Sequence, residues 1–181
     1  MFCYSREMQG AQDNCGQNAM LSPAQITNLE GAIHSALACE QKTKLPASLS
    51  VAQWVLESKW GATQPGNNCF GIKAYAGCFG VQKLWTVEVV DGVRAPVIRE
   101  FAMFPSLDAC FEKHSALLTS GKAYASAWAH YLQTHDLETL VRQISPIYAS
   151  DPRYADILLN IIAMKEVKRC LAKYRSTDLL A

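Results

Sequence analysis

Apolar residues recur at helical spacing over most of the chain. Ser22-Pro23 marks the start of a first helix, because Ser can accept hydrogen bonds from free N–H groups and Pro fits the first helical position. Leu45-Pro46 should end this helix. A second apolar stripe predicts a helix from about Ala47 to Lys59, with Gly61 closing it.

One stretch, from Phe79 to Phe101, has the alternation of a β-strand instead. Asp91-Gly92 is a strong signal for a two-residue hairpin turn at its centre. Pro96 cannot donate a ladder hydrogen bond, which favours an edge strand or a bulge. The alternating positions are Trp85, Val87 and Val89 on one face and Thr86, Glu88 and Val90 on the other.

Helical periodicity returns after the hairpin and continues to the end of the chain. Pro146 is expected to stop one of these helices, and the last is expected to run unbroken to about Tyr174. The pattern as a whole predicts an α+β fold, mainly α-helical, with a small β-hairpin lobe at about 79–101 and a cleft where lobe and helices meet. Residues 1–20 are expected to form an irregular arm before a single domain over residues 21–181. The later helices should start near Pro105-Ser106, Ala123, Asp136 and Asp151-Pro152.

Composition narrows the function classes. The 181 residues include 17 basic and 16 acidic side chains, a formal charge of +1, without the basic excess of nucleic-acid binders. The polar first 20 residues lack the pattern of a secretory signal, so we expect synthesis in the cytoplasm. The seven cysteines are irregularly spaced without a C-x-x-C pair, which favours reduced thiols and predicts no metal site; we also expect no organic cofactor.

Two carboxylates are candidates for acid–base chemistry. Glu57 falls in the last turn of an apolar helix, where burial and the negative end of the helix dipole should both raise its pKa. A carboxylic acid of this kind can protonate a glycosidic oxygen near neutral pH, although a surface glutamate ending a helix would fit the same pattern. Glu88, on the strand face opposite Trp85, could supply a second carboxylate or be an ordinary polar strand residue. His114, on an apolar helix face, is interpreted as a core histidine.

Four ordered segments then resemble one family, the bacterial and phage N-acetylglucosaminidases of glycoside hydrolase family 73. Residues 52–61, AQWVLESKWG, resemble its A-Q-x-x-L-E-S-G-W-G signature, and residues 67–73, NNCFGIK, match N-N-x-F-G-I-K. Residues 86–92 resemble its β-lobe hairpin, and residues 148–154, YASDPRY, resemble Y-A-T-D-P-x-Y. Lys59 departs from the usual Gly, which puts the local turn in question.

The resemblance implies a lysozyme-like fold with a mobile β-lobe and hydrolysis of the β-1,4 bond after N-acetylglucosamine in peptidoglycan. It implies Glu57 as general acid, Glu88 as second carboxylate and Tyr148 beside the scissile sugar. Retaining, inverting and substrate-assisted mechanisms all stay open, with water activation by Glu88 on lobe closure favoured. The substrate-binding residues it implies are Gln53, Trp60, Asn68, Phe70, Asp151 and Tyr154.

Two alternatives remain beside this reading. One is a lytic transglycosylase or muramidase on the same fold, and the other is a non-catalytic wall-binding or assembly component. A short chain without a signal or wall-binding repeat is typical of a phage endolysin, so we expect a monomer that acts on glycan strands in the periplasm to lyse the host. The basic residues of the last helix could add a peripheral contact with the membrane; they are Lys165, Lys168, Arg169, Lys173 and Arg175.

Overall fold

The computed structural model describes residues 21–90 and 93–178. The expected arm over residues 1–20 and the turn at Asp91-Gly92 lie outside these residues. The described chain is mainly α-helical with one two-stranded antiparallel sheet, as predicted. Its elements are α1 Pro23–Thr43, α2 Ala47–Ser58, β1 Gly80–Val90, β2 Val93–Met103, α3 Leu107–Ser120, α4 Ala125–Thr134, α5 Leu137–Tyr148, α6 Tyr154–Ala163 and α7 Lys165–Asp178.

The start of α1 is fixed by a reciprocal cap. Ser22 Oγ accepts from the backbone N–H of Gln25, and the Gln25 side chain accepts from the N–H of Ser22. At the start of α2, Pro46 offers no side-chain cap, and a carboxylate oxygen of Glu40 accepts from the N–H of Ala47 instead, at 2.9 Å. Both predicted helix starts are therefore confirmed, the second through a residue on the preceding helix.

Helix α2 lies at the centre of the molecule, in contact with α1, α3 and α6. Nearly all of its side chains are buried, including Trp54 at 1% exposure. A helix apolar on most of its faces needs neighbours on most sides, which the surrounding helices supply. Among the largest fully buried side chains around it are Leu29, Ile33, Phe70, Phe111, Ile144 and Leu158.

The hairpin lobe packs through the sheet face that carries Thr86, and not through the face that carries its aromatic residue, Trp85. Trp85 is 70% exposed, whereas Thr86 is buried and Phe101, across the sheet on the same face as Thr86, is 1% exposed. The pairing continues without a bulge, and Pro96 lies opposite Val87. Ala102 turns its N–H away from β1, toward Ile72, and Pro96, an even number of positions along the same strand, faces the same way, so its missing N–H needs no partner on β1.

Two predicted helix boundaries are wrong. Pro146 lies inside α5, which continues to Tyr148. The carbonyl that its missing N–H would have bonded is that of Arg142, on an exposed turn where water can replace the lost partner. The predicted last helix is two helices, broken at Met164, whose backbone leaves the helical region. This break carries no Gly or Pro, and it lets α7 turn back onto α1.

The hairpin is joined to the helical body at its base. The N–H of Ala102 donates to the carbonyl of Ile72, and the N–H of Ala74 donates to that of Glu100, each at 3.0 Å. The loop before β1 thereby acts as a short extra strand beside β2. No helix in the described ranges combines the length and apolarity needed to cross a bilayer. The division into an arm and one domain stays a prediction.

Candidate active site

A cleft runs between the end of α2, the loop that follows it, and the hairpin. This is the place where the sequence predicts a cleft, between lobe and helices. One wall is helical, the other is the inward face of the sheet, and the loop forms the floor. The lining residues are Glu57, Thr63, Pro65, Asn68, Gly71, Leu84 and Phe101.

Glu57 presents its carboxyl group to this cleft from the last turn of α2. The side chain is partly accessible, and the protein packed around it raises its pKa to about 7. The Tyr154 hydroxyl donates a hydrogen bond to Glu57 Oε1 at 2.9 Å, which lowers the pKa and so opposes the effect of burial. The direction predicted from the sequence is therefore confirmed, with burial as the main cause. A pKa in this range lets Glu57 hold, near neutral pH, the proton that a general acid needs.

Behind Glu57 a row of buried polar groups leads into the core. Gln53 Nε2 donates to the Tyr154 hydroxyl oxygen at 3.3 Å, and Gln53 Oε1 lies 3.0 Å from His114 Nε2. Phe70 stacks on the His114 ring with the centroids 3.8 Å apart. These four side chains are at most 3% exposed. Gln53, Phe70 and Tyr154 therefore support the cleft from behind, and in this structure they do not offer a sugar the direct contact expected of them.

Tyr148 is also buried beside this row. Its ring stacks on that of Tyr154 at 5.7 Å and meets the edge of His114 at 6.2 Å. Burial, followed by the charge of Glu57, raises the Tyr148 pKa well above its ordinary value, so its hydroxyl stays protonated. Tyr148 thus lies close to Glu57, but it is as buried as Tyr154 and offers a sugar no direct contact in this structure, so its place beside the scissile sugar stays a prediction.

Asn68 lines the cleft, but its amide group is engaged by the backbone. Its Nδ2 donates to the carbonyls of Ile72 and Ala102, at 2.8 and 2.9 Å, and its Oδ1 accepts from the N–H of Ile72 at 2.9 Å. These bonds close the floor loop and fasten it to β2. The side chain therefore determines the shape of the cleft by holding its backbone.

Trp60 and Asp151 do not line the cleft. Trp60 packs partly buried against the core, and its carbonyl accepts from Asn28 Nδ2. Asp151 accepts from the backbone N–H and the guanidinium of Arg153, which lowers its pKa and keeps it ionised. It thereby fixes the turn from which α6 starts with Tyr154.

Glu88 is placed by its backbone alone. It occupies a position on β1 opposite Ala95, two residues beyond Thr86. Its side chain lies outside what the structure describes, so its role as second carboxylate stays a prediction. Within the described ranges, no group of three or more His, Cys, Asp or Glu side chains could hold a metal ion.

Lys59 stands at the position where the family signature has Gly, and it adopts the left-handed backbone conformation. It caps α2 in the left-handed region, with φ 53°, and its N–H donates to the carbonyl of Val55. The turn after Glu57 is therefore made with a side chain at a position that glycine adopts more readily. Cys69, in the loop after this turn, lies against Cys110, with the two sulfurs 3.5 Å apart.

Sequence reasoning missed part of the site. Thr63, Leu84 and Phe101 line the cleft, and His114 bonds to Gln53, although it is a core histidine as predicted. Strand alternation does place Leu84 and Thr86 on one face. Which face turns inward is decided by the loop packed against β2, and no local signal reports it.

Comparison with known proteins shows which family and which relatives this chain is similar to. Residues 33–166 match the Glucosaminidase family, described as mannosyl-glycoprotein endo-β-N-acetylglucosaminidase. A "Probable N-acetylmuramidase" of Lactococcus lactis subsp. lactis is 30% identical over 151 residues, 78% of this chain and 34% of the relative. The peptidoglycan hydrolase FlgJ of Salmonella typhimurium is 32% identical over 152 residues, 79% of this chain and 47% of the relative. The chain thus spans only a third to a half of these relatives.

Among solved structures, a mutant peptidoglycan hydrolase from Sphingomonas sp. A1 is similar with a TM-score of 0.69 and 27% identity. The match covers 82% of this chain and 99% of that one. The fold is accordingly the lysozyme-like fold that the sequence predicts, with a helical body and a hairpin lobe. Because the family match covers most of the chain, including Glu57 and the whole cleft, this protein belongs to the Glucosaminidase family of glycoside hydrolases.

Proposed function

We propose that this chain hydrolyses the β-1,4 bond after N-acetylglucosamine in peptidoglycan, with Glu57 as the general acid. The observation that carries the proposal is a carboxyl group that lines the cleft and has a pKa of about 7. At neutral pH such a group can give its proton to the leaving glycosidic oxygen and then exist as a carboxylate. Membership of the Glucosaminidase family supports the choice of bond.

The other site residues receive supporting roles. Tyr154 holds the acid by its hydrogen bond, and Tyr148 packs against Tyr154 beside it. Asn68 keeps the floor of the cleft in shape. We propose Glu88, on the opposite wall, as the second carboxylate, which activates a water molecule when the lobe closes over the glycan.

Digestion of purified peptidoglycan, with the products read by mass spectrometry, tests the proposal. The variants are wild type, Glu57→Gln and the matched control Glu138→Gln, which changes an exposed glutamate on α5. We expect wild type and the control to release fragments with reducing N-acetylglucosamine ends, and Glu57→Gln to lose about 10²- to 10⁴-fold in rate.

The same experiment separates the alternatives. Reducing muramic ends would make the chain a muramidase, the activity in the name of the Lactococcus relative, and anhydro-muramic ends would make it a lytic transglycosylase. Wall binding without products from the wild type would make it a non-catalytic component. Undiminished activity of Glu57→Gln would remove Glu57 as the acid while leaving the substrate assigned.

The exposed basic residues of α7 give a further proposal about location. Lys173 and Arg175 pair with Glu30 and Glu40 of α1, so they serve to dock α7 on the body. Lys165, Lys168 and Arg169 are exposed, and we propose that they contact anionic lipid or wall polymer. Neutralising these three together should weaken lysis of whole cells while hydrolysis of purified peptidoglycan is unchanged; equal lysis by the variant would contradict the contact.

The phage endolysin role, action in the periplasm and the monomeric state stay predictions. Co-expression with a holin should lyse a Gram-negative host if the first two hold, and Glu57→Gln should abolish that lysis. Sedimentation of the purified protein should give the mass of one 20.0 kDa chain. A dimer mass would contradict the monomer and leave the lysis experiment unaffected.

A further inference from the structure

The hydrogen bonds in the buried row behind Glu57 run in one direction, from donor to acceptor, and the unpaired nitrogen of His114 determines that direction. His114 is fully buried, and its Nδ1 has no hydrogen-bond partner among the described residues. A buried N–H without a partner is rarer and more costly than a buried acceptor without one, so the hydrogen belongs on Nε2. Burial lowers the His114 pKa to about 3, so the ring is neutral and carries that one hydrogen.

The remaining hydrogen bonds follow from this tautomer. Because His114 Nε2 donates, the Gln53 atom 3.0 Å away must be the oxygen, which turns Gln53 Nε2 toward Tyr154. The Tyr154 oxygen then accepts from Gln53 and has its own hydrogen left to donate to Glu57 Oε1, 2.9 Å away. Every member of the row thus acts as a donor toward the cleft.

We propose that His114 and Gln53 are positioning residues, which fix the Tyr154 hydroxyl as a donor to Glu57 Oε1 and so leave Oε2 as the oxygen that carries the acid proton. The inference rests on the proposed function, because it gives the general acid an orientation. A carboxylic acid accepts best at its carbonyl oxygen, so a fixed donor at Oε1 places the proton on the other oxygen. The same donor stabilises the carboxylate after proton transfer.

Among the described residues around Glu57, no charged group takes over the role of the Tyr154 hydroxyl as donor. In the described part of the chain, the ionisable groups that sense the charge of Glu57 are Tyr148 on α5, Tyr154 on α6 and Cys69 in the floor loop. Burial raises the pKa of each, so all three are neutral near pH 7. None supplies a positive charge, and the stabilisation of the carboxylate depends on the orientation of a neutral donor.

His114 itself offers a matched pair of variants. His114→Phe keeps an aromatic ring to stack on Phe70 but removes the Nε2 donor. His114→Gln loses the ring and keeps an N–H₂ group near the position of Nε2. A row that depends on the donor should fail in His114→Phe and be restored in His114→Gln. A purely structural role of the ring predicts the opposite order.

The direct measurement is the titration of Glu57, followed by the ¹³C shift of its carboxyl group and assigned by its loss in Glu57→Gln. Without the Nε2 donor of His114, the Gln53 amide can turn so that its oxygen faces Tyr154. The Tyr154 hydroxyl can then donate to Gln53 and no longer donates to Glu57. We expect the Glu57 pKa to rise by about 1 unit in Tyr154→Phe and by about half a unit in His114→Phe, with His114→Gln close to wild type.

Kinetics on peptidoglycan give a second readout. Activity needs the protonated acid, so the basic limb of the kcat/KM profile should move to higher pH by the same shifts. At a pH low enough to keep Glu57 protonated in every variant, His114→Phe should lower kcat, because the carboxylate formed by proton transfer loses its oriented donor. KM should stay unchanged, because His114 is 0% exposed and touches no substrate. The ¹⁵N shifts of the His114 ring should show the hydrogen on Nε2 in the wild type.

The outcomes are separable from those of the proposed function. A Glu57 titration unchanged in His114→Phe overturns the positioning role of His114, whatever Tyr154→Phe shows and even if the wild type hydrolyses peptidoglycan. A larger shift in His114→Gln than in His114→Phe also overturns it, in favour of ring packing. If the wild type releases no products, the proposed function fails, and the titration of the folded protein still decides whether the row acts on Glu57.

Discussion

The two walls of the cleft are stabilised by different interactions. The helical wall holds Glu57 with fully buried neighbours, such as Gln53 and His114, joined by hydrogen bonds between 2.9 and 3.3 Å. The hairpin wall is a two-stranded sheet that leaves Phe79 and Trp85 at 72% and 70% exposure. Two strands alone are marginally stable in water, so this wall depends on its attachment to the floor loop.

This difference in burial suits the two walls to different tasks in the cleft. A general acid needs a fixed orientation and a shifted pKa, and both require burial among preorganised groups. The hairpin faces the same cleft from a position with little core beneath it, which suits a wall that must admit a long glycan. The four changes below test this contrast, from the largest expected effect to the smallest.

The first prediction compares a phenylalanine packed behind the helical wall, against His114, with one beside the hairpin. Phe70→Ala should destabilise the protein by about 3 to 5 kcal/mol, because the lost ring leaves a cavity between His114 and Phe111. Phe79→Ala, the same change at an exposed position beside the hairpin, should stay within about 0.5 kcal/mol. Denaturant unfolding of both variants measures the difference, and equal losses would contradict the contrast between the walls.

The second prediction concerns the pH dependence that Glu57 imposes on stability. Its folded pKa, about 7, lies above the ordinary 4.5, so its contribution is fully present below about pH 4.5 and is lost as pH rises toward 7. Glu57→Gln removes this loss. The variant should match wild type near pH 4 and be more stable by about 3 kcal/mol above pH 7.

Unfolding of wild type and Glu57→Gln over this pH range is the measurement. Glu138→Gln, on an exposed ion pair with Arg142, serves as the control and should show no comparable gain. A stability difference between wild type and Glu57→Gln that is flat with pH would mean that Glu57 does not titrate as described.

The third prediction concerns the link between the two regions. Asn68→Ala should cost about 2 kcal/mol, because it removes two hydrogen bonds to the carbonyls of Ile72 and Ala102 and leaves the N–H of Ile72 without the acceptor that it has in the wild type. Hydrogen exchange should accelerate at the amides of Ile72 and Ala102 before it does in α2. Asn68→Asp keeps an acceptor but loses both donors, so it should be destabilised as well; exchange unchanged in both variants would remove the link.

The fourth prediction has the smallest effect and the opposite sign. Lys59→Gly should stabilise the protein by about 0.5 to 1 kcal/mol, because glycine adopts the left-handed cap after Glu57 without strain. Lys168→Gly, at an exposed position within α7, should lose about 1 kcal/mol and serves as the control. Thermal unfolding measures both, and a loss of stability in Lys59→Gly would show that its side chain supports the turn.

Much of the fold could be predicted because the relevant signals are local. Ser22 caps α1 through a residue three positions away, and the start of α2 is marked by Pro46. The Glu57 pKa follows from an apolar helix that has to be buried on most sides. The break at Met164 could not be predicted, because it depends on the docking of α7 through Lys173 and Arg175 onto α1.

Sequence alone determined the order of the elements, the position of the hairpin and the choice of Glu57 as the candidate acid, since capping, periodicity and a signature motif are properties of neighbouring residues. Only the tertiary structure decided that Gln53 and Phe70 lie behind Glu57, that Thr86 rather than Trp85 faces inward, and that His114 lies at the inner end of the row of buried polar groups. These facts depend on contacts such as that between residues 53 and 154, about a hundred positions apart, and burial assigns their roles only once the core has closed around them.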